Sequence, residues 1–162
     1  MVGPAYCEKP GRYQCCIPTE CSEKDGFFYY YPSGQCFKFN TTTNFDWYSA
    51  KAWCDSLGLE MPHPRDAIGL RSYMWQEWGH KEPWLNLVKE ASPGTNYIWQ
   101  DNGAIVSSGC PFWFPGEPIY DCVILLAWDW RYATNPGQPF FTRGCNDGAY
   151  FALCEKLIPG HP

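Results

Sequence analysis

Apolar residues near the start of the chain are arranged around a turn in the way that predicts a β-hairpin. An aromatic run at 27–31 leads into Pro32-Ser33-Gly34, and a second apolar segment follows at 35–39. Aromatic-rich segments that flank a Pro/Gly turn are typical of paired strands. The pattern therefore predicts strand, turn and strand over 27–39.

Two helices are predicted next. Thr43-Asn44-Phe45-Asp46 has the form of a capping box, and three residues then recur at helical spacing up to a stop at Gly58. These residues are Trp47, Ala50 and Cys54. A second helical periodicity covers 66–80 and ends ahead of Pro83. Its apolar positions are Ile68, Leu70, Tyr73, Met74 and Trp78.

From Trp84 onward the pattern changes to short apolar segments separated by Pro, Gly and Asn turns. The predicted strands are 84–88, 96–100, 122–128 and 150–155. Two helices followed by a strand-rich half indicate an α+β fold, and the length suits one domain with a short extension. We assign 1–20 to a Cys-rich extension without its own core, 21–156 to the domain and 157–162 to a tail.

The cysteine content indicates the environment of the protein. Ten cysteines in 162 residues are typical of a disulfide framework formed in an oxidising compartment. A zinc site would need CxxC pairs or Cys/His clusters, and no CxxC pair occurs. We therefore expect a secreted, extracellular protein.

Asn40-Thr41-Thr42 is an N-glycosylation sequon, so Asn40 is a predicted glycan acceptor.

Charge and hydropathy argue against two classes of partner. The net charge is −5 and the 12 basic residues are scattered singly, which disfavours nucleic acid. The longest uninterrupted apolar run, 122–128, is far shorter than the ~20 residues that span a bilayer. No secretory leader precedes Val2, and we interpret Met1 as standing where one has been removed.

Several motifs follow one another in the second half. Trp84-Leu85-Asn86-Leu87 comes first, then Gly94, Tyr97 and Trp99 with Asp101-Asn102-Gly103, then Trp113-Phe114-Pro115-Gly116-Glu117-Pro118, and finally Cys154-Glu155. In this order they resemble the WIGL strand, the W-x-D-G stretch, the W-x-x-G-E-P-N loop and the terminal C-E of the C-type lectin-like domain in its long form. The resemblance covers about 21–155 and implies the double-loop α+β fold of that family.

The resemblance also implies three disulfides, Cys21–Cys36, Cys54–Cys154 and Cys122–Cys145. The four remaining cysteines are Cys7, Cys15, Cys16 and Cys110. Adjacent cysteines rarely pair, so Cys7 is expected to pair with Cys15 or Cys16, and Cys110 with the other. The extension would then be joined to the loop that carries Cys110. The alternative is a bond between two chains through Cys110, which would give a homodimer.

Family members that bind sugar through calcium supply oxygen atoms from E-P-N, from a Glu before the next Cys and from an Asn-Asp tract. Here Glu117 is kept, but four of the five expected donors are replaced, by Ile119, Tyr120, Phe141 and Thr142. Lys89 and Pro93 stand at acidic positions of an auxiliary site. Because calcium takes about six to eight oxygen ligands, we expect no metal and no other cofactor. We interpret Asn146-Asp147, which follows Cys145, as a turn.

The candidate ligand-binding residues lie in two loops. They are Trp113, Glu117, Tyr120 and Asp121 before Cys122, and Trp130, Arg131 and Tyr132 after it. Exposed aromatic residues beside an Arg favour sugar stacking or protein contact, although Trp128 and its neighbours could instead pack under the loop.

Two functions fit the sequence. One is a secreted recognition protein that binds glycans or glycoproteins without the usual calcium site. The other is a structural or interaction module, such as a matrix, egg-coat, mineral- or ice-associated protein or a venom-like protein binder. An enzyme is not expected, because the cysteines are assigned to disulfides and no Gly-x-Ser-x-Gly turn is present.

Overall fold

A computed structural model describes residues 17–127 and 135–158. The described helices are α1 (Trp47–Ser56) and α2 (Ala67–Trp78). The described strands are β1 (Phe27–Tyr30), β2 (Gln35–Phe45), β3 (Trp84–Lys89), β4 (Tyr97–Trp99), β5 (Ile105–Val106), β6 (Cys122–Leu125), β7 (Phe140–Arg143) and β8 (Tyr150–Lys156). The α+β class is confirmed.

The strands form two antiparallel sheets. The first has the order β1-β2-β8, and the second has the order β5-β4-β3-β6-β7. In the first sheet the last strand pairs with the second, from Cys36↔Lys156 to Asn40↔Ala152 and again, after a register shift, at Phe45↔Tyr150. This pairing brings the end of the domain back to its beginning.

The predicted hairpin is present, but its second strand is longer than the pattern indicated. β1 pairs with β2 from Phe27↔Lys38 to Tyr30↔Gln35, as expected. β2 then continues to Phe45, beyond the predicted end at residue 39. The extra length is supported by pairing with β8, which comes from the other end of the chain.

The predicted capping box at 43–46 was wrong by three residues. Residues 41–45 stay extended in β2, and the N-cap of α1 is Asp46. The Asp46 carboxylate accepts a hydrogen bond from the Ser49 backbone N–H at 2.7 Å. The Asp46 backbone N–H in turn donates to the Ser49 hydroxyl at 3.0 Å. The motif is the same type of reciprocal cap, formed by the next pair along the chain.

Two short strands, β5 and β7, were not predicted, and the predicted strand at 122–128 ends at Leu125. β7 pairs with β6 from Cys122↔Arg143 to Leu125↔Phe140. Its sequence, Phe-Phe-Thr-Arg, has no alternation of apolar and polar residues, so the sequence pattern does not predict a strand there. The strand is recognised from its pairing with β6.

Aromatic residues form much of the core and also fix loops to it. Three tryptophan indole N–H groups donate to backbone carbonyls: Trp47 to Leu85, Trp84 to Phe45, and Trp113 to Ser107. Each indole buries a large apolar surface while its one donor is satisfied. The first two bonds link α1 to β3 and β3 to β2, and the third holds the irregular segment that follows β5.

The three disulfides that the resemblance implies are present: Cys21–Cys36, Cys54–Cys154 and Cys122–Cys145. Cys110 is half-buried and forms no disulfide with another described cysteine. Cys7, Cys15 and Cys16 lie outside the described residues. The joining of the extension to Cys110 therefore stays a prediction, as do the domain boundaries.

We predict that the Cys54–Cys154 disulfide contributes more to stability than the Cys21–Cys36 disulfide. The first closes a loop of 100 residues and the second a loop of 15. In the chain-entropy model such loops are worth about 4.7 and about 3 kcal/mol. Both cysteines of each pair are replaced by Ala, and urea denaturation measures the free energy of unfolding. All four sulfur positions are buried, so the pairs are matched. A larger loss for the Cys21/Cys36 double variant would contradict the prediction.

Candidate ligand site in the long loop

The candidate site lies in the long loop, residues 107–121, between β5 and β6. Glu117 projects from this loop against Thr142 of β7. The Glu117 carboxylate accepts a hydrogen bond from the Thr142 backbone N–H at 2.8 Å and another from the Thr142 hydroxyl. The one carboxylate that the resemblance matches to a calcium ligand is therefore bound to the protein itself.

Thr142 is fully buried and its hydroxyl uses its whole hydrogen-bonding capacity. Besides donating to Glu117, the hydroxyl oxygen accepts from the backbone N–H groups of Ile119, at 3.0 Å, and Tyr120, at 2.9 Å. A hydroxyl has one donor and two acceptor positions, and all three are occupied. The segment from Glu117 to Tyr120 is consequently fixed to β7 by one threonine side chain.

The neighbouring replacement, Phe141, belongs to the core. Its ring packs against Phe114 with centroids 5.5 Å apart, and the Arg143 guanidinium lies 4.5 Å from the ring centroid. No side-chain oxygen is available at this position. In residues 17–127 and 135–158, no cluster of three or more His, Cys, Asp and Glu side chains is placed to hold a metal ion.

Tyr97 connects the same loop to the second sheet. Its side chain is buried, and its hydroxyl donates to the backbone carbonyl of Tyr120. Burial, and to a smaller extent the nearby carboxylates of Asp121 and Glu117, raise the pKa of Tyr97 to about 12. The phenol therefore stays protonated and keeps donating to the loop well above neutral pH.

Trp113, which was predicted to bind ligand, lies in the core instead. Trp113 is only 4% exposed, and its ring packs between Tyr97 and Phe140, with centroids at 4.8 and 5.6 Å. An indole enclosed in this way cannot stack on a ligand. The motif position that suggested a surface residue in fact supplies part of the core beneath the loop.

The other predicted residues of the long loop do lie together at the surface. Tyr120 is 49% exposed, Asp121 is exposed and Glu117 is half-buried. Ile119, between Glu117 and Tyr120, is 58% exposed. Trp130, Arg131 and Tyr132, together with Trp128, lie outside the described residues.

Sequence reasoning missed two buried charged residues, Arg71 and Glu82, whose side chains bind the two ends of the connection between β6 and β7. Arg71 of α2 is fully buried and donates from Nη1 to the carbonyls of Asn135, at 2.9 Å, and Pro136, at 3.4 Å. Glu82 accepts from the backbone N–H of Ala127 at 3.0 Å. Arg71 lies four residues after Ala67 and three before Met74, on the buried face of α2. Its position on an apolar helical face was the available signal.

Two smaller expectations concern turns and modification. Asp147 accepts from the Ala149 N–H at 3.1 Å and lies in a turn closed on Gly144, as interpreted from the sequence. Asn40 is half-buried where the register between β2 and β8 shifts, and its side-chain oxygen accepts from the Thr42 N–H and hydroxyl at 3.1 Å. Glycosylation of Asn40 stays a prediction.

Comparison with known proteins gives matches only among solved structures. No protein-family model matches the sequence, and no curated protein matches it. The C-type carbohydrate-recognition domain of cow CD23, solved with a GlcNAc2Man3 oligosaccharide, is 19% identical with a TM-score of 0.61, and the match covers 83% of this chain and 95% of that one.

Two further structures give similar scores. A complex of SPL-1 with GlcNAc is 20% identical with a TM-score of 0.64, covering 88% of this chain and 98% of that one. A calcium-independent type II antifreeze protein is 18% identical with a TM-score of 0.59, covering 81% and 91%. The chain therefore has the disulfide-stapled C-type lectin-like fold. No described helix has the length and hydropathy needed to cross a membrane.

We predict that Thr142→Val lowers the free energy of unfolding by roughly 1–3 kcal/mol, because the part-buried N–H groups of Ile119 and Tyr120 lose their acceptor, the hydroxyl of the fully buried Thr142. Chemical denaturation measures the change. Thr142→Ser keeps the hydroxyl and should restore most of the loss. Thr43→Val is the control, since Thr43 is exposed on β2. An equal effect of Thr142→Val and Thr43→Val would contradict this role of the hydroxyl.

Calcium is predicted to have no effect on stability through this loop. The remaining carboxylate is already bound by Thr142, and one carboxylate falls short of the charge count that sets calcium affinity even in weak extracellular sites. Thermal melts in millimolar calcium and in chelator should therefore coincide. A calcium-dependent rise in melting temperature that disappears in Glu117→Gln would show that other residues complete a site.

Proposed function

We propose that this protein is an extracellular recognition module that binds glycans or glycoproteins through the long loop without calcium. The observation that carries the proposal is the contact between Glu117 and Thr142. It fixes the loop by protein hydrogen bonds where calcium-dependent family members are expected to use a metal ion. The loop is thus formed before any ligand arrives, which lowers the free-energy cost of binding.

The surface of the loop supports a sugar ligand. Tyr120 offers a half-exposed aromatic ring, and Asp121 beside it offers an exposed carboxylate. An aromatic face packs against the C–H groups of a sugar ring, while a carboxylate accepts hydrogen bonds from its hydroxyls. Trp130, Arg131 and Tyr132 are proposed to extend this surface from the neighbouring connection, whose ends are held by Arg71 and Glu82.

Two comparisons agree with this proposal. The cow CD23 domain was solved in the presence of an oligosaccharide and SPL-1 in complex with GlcNAc. The three described disulfides agree with an extracellular location, because disulfides persist in oxidising compartments.

A calcium-independent interaction module is the second candidate. Ile119 is more exposed than Tyr120 and contributes an apolar contact that suits a protein or mineral surface. The match to a calcium-independent antifreeze protein also favours a role of this kind. Such a module would bind a purified protein or surface and no free sugar.

The test is binding to a panel of immobilised glycans and glycoproteins, with calcium and with chelator. We expect the same binding in both, and a loss of about threefold to tenfold in affinity for Tyr120→Ala, through the lost ring contact. Tyr48→Ala is the control, since Tyr48 of α1 is 57% exposed and lies outside the loop.

Binding that disappears in chelator would contradict the proposal, as would equal losses for the two tyrosine variants. A folded protein that binds none of the panel would overturn the glycan ligand and favour the second candidate.

A further inference from the structure

A cavity of about 300 Å³, lined by both polar and apolar atoms, lies at the opposite end of β4 from the long loop. Tyr97, at the start of β4, contacts the long loop, whereas Trp99, at its end, leads into the turn beside the cavity. The polar side chains that line the cavity are Glu60, His63, Arg65, Asp101, Asn102 and Glu155. Met61 and Leu157 add an apolar part of the wall.

His63 is held in one orientation. Its ring stacks on the Trp99 indole with centroids 3.7 Å apart and planes 8° from parallel. Its Nδ1 atom lies 3.0 Å from a carboxylate oxygen of Asp101. The Nε2 atom of the same ring makes no hydrogen bond to the part of the chain that the structure describes. It can serve a ligand without disturbing these contacts.

Glu155 fixes the floor of the cavity. It is 8% exposed, and its two carboxylate oxygens accept from the His63 backbone N–H at 3.1 Å and from the Gln35 side chain at 3.0 Å. Gln35 in turn accepts from the Arg65 backbone N–H at 2.9 Å. Burial raises the pKa of Glu155, and the hydrogen bonds from Gln35 and His63 oppose that shift. The backbone of both His63 and Arg65 is therefore tied to one buried carboxylate.

Other side chains of the cavity keep hydrogen-bonding capacity. Glu60 is exposed, and its carboxylate has no partner in residues 17–127 and 135–158. Arg65 donates from Nη2 to the Ser33 carbonyl and has further N–H groups. Asn102 accepts from the Ala104 N–H through its side-chain oxygen, which leaves its NH₂ group to donate.

The mixture of donors and acceptors selects the class of ligand. A metal ion needs several oxygen or nitrogen ligands around one point, which the described residues do not provide. An anion would lie near Glu60 and Asp101, and a cation would lie near Arg65. A neutral hydroxyl group both donates and accepts, so a polyol suits a ring of unlike groups. The volume is at the lower end for ligand pockets, which suits one sugar ring.

We propose that this cavity is a second binding site, for a single neutral sugar or similar polyol, distinct from the long loop. Glu60 accepts from ligand hydroxyls, Asn102 and Arg65 donate to them, and the stacked His63 forms one wall. The proposal goes beyond recognition through the long loop and does not depend on it.

The test is an NMR titration of the ¹⁵N-labelled, disulfide-bonded full chain with glucose, galactose, mannose and N-acetylglucosamine. At least one sugar should produce saturable shifts of the Trp99 indole N–H and of the Asn102 and Gly103 amides. Glu60→Gln and Asn102→Asp should each weaken that binding by about fivefold or more, through one lost acceptor or donor. Asn102→Asp keeps the oxygen that accepts from Ala104, so the turn is preserved.

Tyr120→Ala is the matched control and should leave the shifts at the cavity unchanged. The proposal is overturned if no sugar gives saturable shifts there, if the shifts are confined to the long loop, or if either cavity variant binds as tightly as the original chain. Loss of binding to glycans in Tyr120→Ala concerns the long loop alone, so the two proposals fail separately.

Discussion

The antiparallel pairing of β2 with β8 is the constraint on which the rest of the structure depends. It joins segments more than a hundred residues apart and sets the positions of both Cys154 and Glu155. Cys154 bonds to Cys54 of α1, while the backbone of Glu155 pairs with Glu60. A register slip of one residue would exchange the faces of β8 and lose both contacts at once. The disulfide and the cavity therefore require the same register.

The long loop illustrates how hydrogen bonds within a protein can fix an irregular segment. A buried threonine hydroxyl connects Glu117 to two backbone N–H groups. These bonds are all within the protein, so they hold the loop without help from a bound ligand.

Local sequence patterns predicted the helices, the hairpin and most strands, while the ordered motifs predicted the fold and three disulfides. The failures share a cause, which is that a distant segment determined the outcome. Residues 41–45 stay extended because of the sheet they belong to, which moved the helix cap to Asp46. Trp113 is buried because Tyr97 and Phe140 enclose it. The cavity needed Gln35 to meet Glu155 across 120 positions, which no local pattern records.

The long loop and the cavity lie at the two ends of the same strand, β4, but we expect no coupling between them. Tyr97 and Trp99 are both buried and point to the same side of β4, because alternate residues of a strand share a face. Between them and the loops lies a packed aromatic group in which Trp113 and Trp99 both contact Phe140. Coupling between sites needs an element with two arrangements of similar free energy, whereas a close-packed aromatic core has a single arrangement. A ligand at one end of β4 is therefore expected to leave affinity at the other end unchanged.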